Sequence, residues 1–427
     1  MLNRREMLKT SLAAGVFLPG ISGLARGDDS PNERLNVACI GLGGQGGFQL
    51  NGLSSQNIVA LCDCDDARAG NAYTRFPNAK KFYDFRKMFD EMSNQFDAVT
   101  VSTPDHTHFH PSFIALSLDK HLYLEKPMAH CVKECRILTD LAREKGLATQ
   151  LGMQRHALSG MRRTVEAIQS GAIGKVHEVY SWVGGSRGMP GNLKSGETAP
   201  AGLDWEMWIG PAKFRPYTSD LCPYKWRFWW DYGTGETGNW CCHILEIPFW
   251  ALGLTYPERV QADGPEVHDE QTPKSMNVTF DFPAVEGRDA VKLHWCHGVP
   301  EAVRQLNLDR IGNNVFIGEK GILSCDFNWH KLYPTDQFVD YKAPEPFIPE
   351  SPGFHKEWIE ACKGGAPASC NFDYSGKIAE AGLLGNAAYR VGAKDGIRWN
   401  WQEIKSPDCP NIDEFNYPNY RKGWEIS

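Results

Sequence analysis

No two of the thirteen cysteines are spaced as a CxxC pair, so the usual framework of a structural zinc site is missing. Their number is odd, and Cys62 with Cys64, Cys131 with Cys135 and Cys241 with Cys242 stand too close together, or too firmly in strands, to build a bridge network. Most of these thiols are therefore expected to pack as small buried hydrophobes. Basic residues are outnumbered, 45 Lys and Arg against 52 Asp and Glu, which argues against nucleic acid or an anionic membrane as a partner. Long apolar runs are missing too. The N-terminal candidate, Ser11 to Leu24, is short and carries Pro19 and three glycines, so no stable membrane anchor is expected. Internal repeats and low-complexity tracts are also absent.

What the N-terminus does contain is Asn3-Arg4-Arg5-Glu6-Met7-Leu8-Lys9, a twin-arginine pattern, ahead of that apolar run and the small residues Gly23-Leu24-Ala25. Residues 1–25 are expected to be a signal peptide, carrying the folded protein through the twin-arginine export machinery to the periplasm or another exported compartment. Without its three basic and one acidic residues, the 45 and 52 charges become 42 and 51, a net −9. The remaining chain is long enough for two domains with separate cores.

The richest stretch is 35–63. An apolar run, Leu35 to Ile40, feeds into Gly41-Leu42-Gly43-Gly44-Gln45-Gly46, and a second run, Ile58 to Cys62, ends on Asp63. Strand, glycine turn, helix, strand and acid in that order form a dinucleotide-binding fingerprint. Gly41 serves the tight turn, Gly43 the approach of a pyrophosphate, and Gly46 the close packing of helix on strand. Unpaired N–H groups at the start of the helix then face the phosphates. Asp63 stands where a carboxylate would accept both hydroxyls of the adenosine ribose and repel a 2′-phosphate, so NAD is expected in preference to NADP.

From Leu35 to Leu151 strand-like and helix-like segments alternate, as a Rossmann-type doubly wound parallel sheet requires. Strands are expected at Asp97–Val101, His121–Leu124 and Ala148–Leu151, and helices at Pro111–Leu118 and Lys133–Lys145. A helix at Gly160–Ser170 opens a second, α+β domain. Its large open, mostly antiparallel sheet draws on Val176–Trp182, Val278–Phe282, Ala290–Trp295 and Asn314–Ile317. Helical periodicity returns at Phe372–Gly392. The expected division is 34–156 for the cofactor domain, 157–371 for the substrate and oligomerisation domain, and 372–427 for a helical return and tail. Two irregular stretches, 184–202 and 217–235, are long enough to build a site or a subunit contact.

Ser102-Thr103-Pro104-Asp105-His106-Thr107-His108 follows the fourth strand at its carboxyl end, the edge at which open α/β sheets bind ligands. Asp105, His106, His108 and His110 have the composition of a metal cluster, but ligation at alternate residues needs a strand, and Pro104 and Pro111 bracket a turn. No metal is expected. Ser102, Thr103, Pro104, His106 and His108 are read instead as lining the nicotinamide side. Glu125-Lys126-Pro127 follows the next strand at the same edge, where an ammonium could stabilise a developing alkoxide. Gln154 is added to the cofactor contacts. Seven tryptophans, at 205, 208, 226, 229, 230, 240 and 250, crowd one stretch; two or three are expected to line the cleft, their faces suiting the C–H faces of sugar rings. Arg155, His156, Trp230 and Asp231 are the substrate candidates, with Asp204, Lys225 and Arg227 as further hydroxyl partners.

With the glycine loop, the Ser-Thr-Pro-Asp-His turn and Glu125-Lys126-Pro127 in register, the chain resembles the Gfo/Idh/MocA oxidoreductases, over roughly Leu35 to Gly392. The resemblance implies action on sugars, polyols and related cyclic compounds. It implies contact of Lys126 with nicotinamide and substrate. An Asp-x-x-x-His motif on a helix supplies the acid/base histidine in that family. Here His243 matches and Asn239 replaces the aspartate. An amide cannot supply the charge that strengthens an imidazole as a base. Either His243 works with a less raised pKa, or Lys126 carries more of the proton transfer.

The expected activity is NAD-dependent hydride transfer to or from a secondary hydroxyl of a carbohydrate or polyol, with Lys126, His243 and Asn239 at the reacting centre. Folded export suggests a cofactor retained as a prosthetic group. A redox-neutral glycoside-cleaving or epimerising enzyme is the alternative, and a non-catalytic NAD-binding sensor a more distant one. Retention of both Lys126 and His243 speaks against the sensor. An open sheet face in the second domain suggests a dimer or tetramer.

Overall fold

The computed structural model describes residues 33–417 and 419–426, so the expected signal peptide lies outside the described residues. The first half alternates strictly: β1 (Asn36–Ile40), α1 (Gln45–Gly52), β2 (Asn57–Cys62), α2 (Asp66–Arg75), β3 (Lys80–Phe82), α3 (Phe85–Met92), β4 (Ala98–Val101), α4 (Phe109–Ser117), β5 (His121–Leu124), α5 (Val132–Lys145) and β6 (Thr149–Leu151). These six strands pair only in parallel, in the order β3-β2-β1-β4-β5-β6. The central strands β1, β4 and β5 read as apolar runs because helices cover both faces of the sheet; Val37, Val99 and Leu122 are fully buried. The strand order reverses between β1 and β4, which opens a crevice at their carboxyl ends.

After α6 (Ser159–Gln169) and β7 (Val176–Val183) come α7 (Trp205–Ile209), a single π-helical turn at Thr237–Cys241, α8 (Cys242–Ile244) and α9 (Glu246–Leu252). The second sheet adds β8 (Arg259–Asp263), β9 (Asn277–Phe282), β10 (Val291–His297), β11 (Asn314–Gly318), β12 (Gly321–Cys325) and β13 (His330–Tyr333), with α10 (Glu301–Gln305) between β10 and β11. The chain closes with α11 (Phe354–Cys362), α12 (Phe372–Arg390), β14 (Ile397–Arg398) and α13 (Asp413–Asn416). Eight strands run in the order β13-β12-β11-β7-β10-β9-β8-β14. Only β7 and β10 pair in parallel; the remaining neighbours are antiparallel. The doubly wound parallel sheet followed by an open, mostly antiparallel one is the architecture expected from the sequence.

All thirteen cysteines are free, and nine are buried. No helix among the described residues is long and apolar enough to cross a membrane.

Helix α12 packs against both α5 and β8. Its contact with α5 contains a buried, two-pronged ion pair: Arg136 donates from Nε to Glu380 Oε1 at 2.8 Å and from Nη2 to Oε2 at 2.7 Å. Their side chains are 11 % and 4 % exposed. Burial alone would raise the Glu380 pKa, and Arg136 opposes it. Removing one partner leaves the other charge buried without an answer. Glu380→Ala is expected to lower unfolding stability by about 3–5 kcal/mol, read from urea midpoints. A loss below about 1 kcal/mol would show that the pair does not hold α12 in place.

Candidate active site

The β1–α1 turn forms a cradle for structural reasons visible in two glycines. Gly41 has φ +79°, and a Cβ there would lie 2.6 Å from the Ser102 carbonyl carbon. A Cβ on Gly46 would lie 1.9 Å from the Gly41 carbonyl oxygen. Only bare backbone lets α1 start this close to β1. Asp63, at the end of β2, fastens the turn: its carboxylate accepts from the Leu42 N–H at 2.8 Å and the Asp65 N–H at 3.0 Å. Burial still raises its pKa against these two bonds.

A cleft of about 520 Å³ runs from this cradle along the carboxyl edge of the parallel sheet. Gly41, Gly43, Gly44, Gln45, Asp63, Ser102, Thr103 and Pro104 line it at one end, and Glu125, Lys126, Arg155, Asn239 and His243 at the other. The buried hydroxyls Ser102 Oγ and Thr103 Oγ1 have no partner. A glycine cradle, helix-start N–H groups, an acid at the end of β2 and orphaned hydroxyls on the same wall fit a dinucleotide.

At the far end Lys126 donates to the Asn239 carbonyl at 2.9 Å and to Asn239 Oδ1 at 3.3 Å. Burial lowers the Lys126 pKa, while Glu125 and Asp105 pull it back up. Burial pushes Glu125 up to about 7, against Lys126 and amide donors including Gln154. His243 is shifted well below the ordinary imidazole range, first by burial and then by Lys126 and Arg155. Its Nδ1 has no partner. His243 is thus a neutral imidazole beside a cation, with a lowered rather than a raised pKa.

Asn239 belongs to the π-helical turn, and its own neighbour explains its identity. Glu236, 2 % exposed, accepts from Asn239 Nδ2 at 3.2 Å. Arg187 donates to the same carboxylate from Nε at 2.5 Å and Nη2 at 2.9 Å. A carboxylate is therefore present one hydrogen bond behind residue 239. The order Arg187–Glu236–Asn239–Lys126 fixes the amide so that its oxygen faces the ammonium.

Several expected contacts are placed elsewhere. His106 is not on the nicotinamide wall: its ring nitrogens face the Tyr232 carbonyl at 3.2 Å and the Trp208 carbonyl at 2.9 Å, and burial lowers its pKa to about 4. His108 likewise spans the Pro127 and Thr103 carbonyls at 2.6 and 2.8 Å. Both act as staples between loops. His156 is buried against Glu246 and stacked on Trp250 at 4.0 Å, away from the residues that line the cleft. Together with Cys370 these two form the one group among the described residues with metal-ligand reach. It is a hydrogen-bonded core triad, Cys370 donating to Glu246 Oε1 at 3.3 Å. Trp230 and Asp231 line a different cavity. Gly46 serves packing, and Gln154 stands behind Glu125, donating to its Oε1 at 2.8 Å.

Trp208, Trp226 and Trp240 line the cleft, three of the seven clustered tryptophans. Of the further hydroxyl candidates only Arg227 lines it; Asp204 instead caps α7, and Lys225 pairs with Asp220. Sequence reasoning missed Arg68, whose guanidinium fills the space beside Gly43 and Gly44. It also missed the Arg187–Glu236 pair, which joins residues 49 positions apart. A position in the first turn of α2, just past the acid, is the signal that could have flagged Arg68.

Known proteins share this fold. Residues 35–153 match the NAD-binding Rossmann fold of an oxidoreductase family, Gfo/Idh/MocA, and residues 167–286 match that family's C-terminal alpha/beta domain. An inositol 2-dehydrogenase of Rubrobacter xylanophilus is 32 % identical over 155 residues, 35 % of this chain and 43 % of that one. A glycosyl hydrolase family 109 protein of Solibacter usitatus is 28 % identical over 155 residues, 31 % of this chain and 34 % of that one. The chain thus matches less than half the length of these relatives. The WlbA dehydrogenase from Bordetella pertussis, solved in complex with NADH and UDP-GlcNAcA, shares the fold with a TM-score of 0.60 at 16 % identity, over 86 % of this chain and 99 % of that one. With both of the family's domains matched in order, the chain belongs to the Gfo/Idh/MocA oxidoreductases.

Proposed function

We propose that the protein transfers a hydride between NAD and a secondary hydroxyl of a sugar, polyol or sugar derivative. The observation that carries this reading is the pairing of the Lys126 ammonium with a partner-free His243 imidazole at the end of the cleft beyond the glycine cradle. Gly41 to Gln45 and Asp63 would hold the cofactor, which supplies the hydride acceptor when bound. A neutral His243 is competent to take the hydroxyl proton. Lys126 would donate to the same oxygen as negative charge develops on it. Trp208, Trp226 and Trp240 offer apolar faces to a ring, and Arg155 and Arg227 offer donors to its hydroxyls. The names of the inositol dehydrogenase and sugar-nucleotide-bound relatives support the substrate class. The reading extends to a retained cofactor in an exported protein, on the strength of Arg4-Arg5 and the run that follows, and to a homo-oligomer built on the second sheet.

The glycosyl hydrolase family 109 relative favours a second reading, a redox-neutral cycle in which the hydride returns to the product. One experiment separates the two. The purified protein is denatured to identify released nucleotide, then assayed on a panel of sugars, polyols and glycosides, following both reduced-nicotinamide absorbance and product. Net absorbance change supports the dehydrogenase, and cleavage without it the cycle. Lys126→Ala and His243→Ala are each expected to lower kcat about 10²–10⁴-fold. Full activity in both variants would remove the reading, and an empty protein active only with added NAD would remove cofactor retention.

Asn239→Asp places a second carboxylate against Glu236. That variant alone is expected to lower kcat and move the pH–rate profile by about one unit. Adding Glu236→Gln, which restores a single carboxylate, is expected to recover most of the loss; two additive losses would contradict the arrangement.

Asp63 favours NAD, and Arg68 is the group able to meet a 2′-phosphate. Arg68→Ala is expected to weaken NADPH binding about tenfold and NADH far less, by fluorescence titration. Equal losses would assign Arg68 to the shared pyrophosphate instead.

A further inference from the structure

A second cavity, of about 620 Å³, lies between the carboxyl end of α12, the 230–234 loop and the chain around α13. It contains the last residue of α12, Arg390, in an unusual setting. The guanidinium is held between two rings, 4.9 Å from the Trp230 centroid and 4.1 Å from the Phe415 centroid. Among the described residues it makes no ion pair and no hydrogen bond, although Asp231 and Asp269 act on it from a distance. Burial lowers its pKa to about 10. A guanidinium offers five N–H donors in a planar fork whose natural complement is a carboxylate or phosphate. Two aromatic faces fix the plane without using any of those donors.

Two further charges of the lining, Lys213 and Glu414, are exposed, and the others are already engaged. Glu134 accepts from Tyr420 and from the His130 and Cys131 N–H groups. Arg421 pairs with Glu206, and Asp231 lies 3.7 Å from Arg215. One turn before Arg390, on the same face of α12, stands Asn386, only 6 % exposed. Its Nδ2 donates to the Thr234 carbonyl at 2.9 Å, but its Oδ1 has no partner. A buried amide oxygen left without a donor is costly unless something supplies one.

We propose that this cavity binds a small hydroxylated carboxylate, with the carboxylate on the Arg390 fork and a hydroxyl donated to Asn386 Oδ1. The site is separate from the cleft, yet it touches the cleft's wall. Thr234, which Asn386 holds through its carbonyl, donates to Asp105 Oδ2 from its N–H at 3.1 Å and its hydroxyl at 2.6 Å. Asp105 lines the cleft.

The test is calorimetric titration of the full-length protein with sodium D-gluconate as probe, D-glucose as the neutral control and inorganic phosphate as the second oxyanion. Saturable binding of gluconate is expected, and any heat from glucose, a sugar that the cleft could take, should be unchanged in Arg390→Gln. Arg390→Gln and Asn386→Leu should each weaken it about tenfold or more, whereas the cleft variant Arg155→Gln should leave it unchanged. Arg390→Lys keeps the charge but loses the fork, and should bind with intermediate affinity. It also covers the case in which Arg390→Gln fails to fold, as judged by its thermal melt. Absence of gluconate binding, binding of phosphate alone, glucose binding that is lost in Arg390→Gln, survival of gluconate binding in Arg390→Gln, or its loss in Arg155→Gln would overturn the proposal.

Discussion

Lys126 carries a positive charge into a part-buried position in the cleft, and such a charge persists only where its surroundings answer it. Its position follows from the parallel sheet: β5 ends at Leu124, and the next two residues turn out over the carboxyl edge. Glu125 answers the ammonium in part, but burial pushes its pKa up to about 7, so the carboxyl is only partly ionised at neutral pH. The direct contact is the Asn239 backbone carbonyl, turned toward the ammonium by a helix that makes one π-helical turn at this point. A π turn frees a carbonyl that a regular helix would use for itself, which is why such turns gather at functional sites. Lys126 thereby couples the two halves of the site. Its anchor lies on the parallel sheet, and its partner lies on the helix leading into the second sheet.

The same logic accounts for asparagine at 239. A carboxylate there would meet the ammonium directly, but it would also lie beside the buried Glu236 carboxylate, and like charges at that separation cannot both ionise cheaply. Glu236 is held ionised by Arg187, which keeps its pKa below the usual carboxylate range against the pull of burial. Charge and contact are thus divided between two residues: Glu236 supplies the one, Asn239 the other. His243 receives no carboxylate at all. Its charged neighbours are Lys126 and Arg155, which add to burial in keeping it neutral.

How much of this was legible in the chain depends on whether the signal was local. β5 is bounded in the structure where its apolar residues begin and end, at His121 and Leu124. The glycine turn, Asp63, Lys126 and His243 likewise sit within short stretches whose spacing carries the geometry. The strands β3, β13 and β14 were hidden because they are short, lie at sheet edges and carry charged residues such as Lys80, Lys331 and Arg398. The histidines of the 102–110 turn misled for a physical reason. Polar rings next to a ligand edge suggest lining, but His106 faces carbonyls of other loops, and His108 faces the Pro127 carbonyl and the Thr103 carbonyl of its own turn, each neutral ring having one N–H to donate. Thr103 apart, which is five positions from His108, these partners come from 19 to 126 positions away and leave no mark in the local pattern. The Arg187–Glu236 pair is hidden in the same way, since its arginine comes from an irregular stretch with no periodicity to anchor it.

Those loop staples carry a structural consequence for the two cavities. Asp105 and His106 are adjacent in sequence and hold opposite ends of one short segment: Asp105 accepts from Thr234, and His106 faces the Tyr232 carbonyl. Residues 232–234 therefore form a wall of the Arg390 cavity that is tied to Asp105, which lines the cleft, and Asn386 pins that wall from α12. Each of these bonds involves a group at most 6 % exposed. A buried polar network that is fully paired holds one arrangement rigidly, whereas one with an open acceptor has a second arrangement within reach. The open acceptor here is Asn386 Oδ1, on the cavity side. The position of Asp105, and with it part of the field at Lys126, is consequently set from both sides of the wall rather than by the cleft alone.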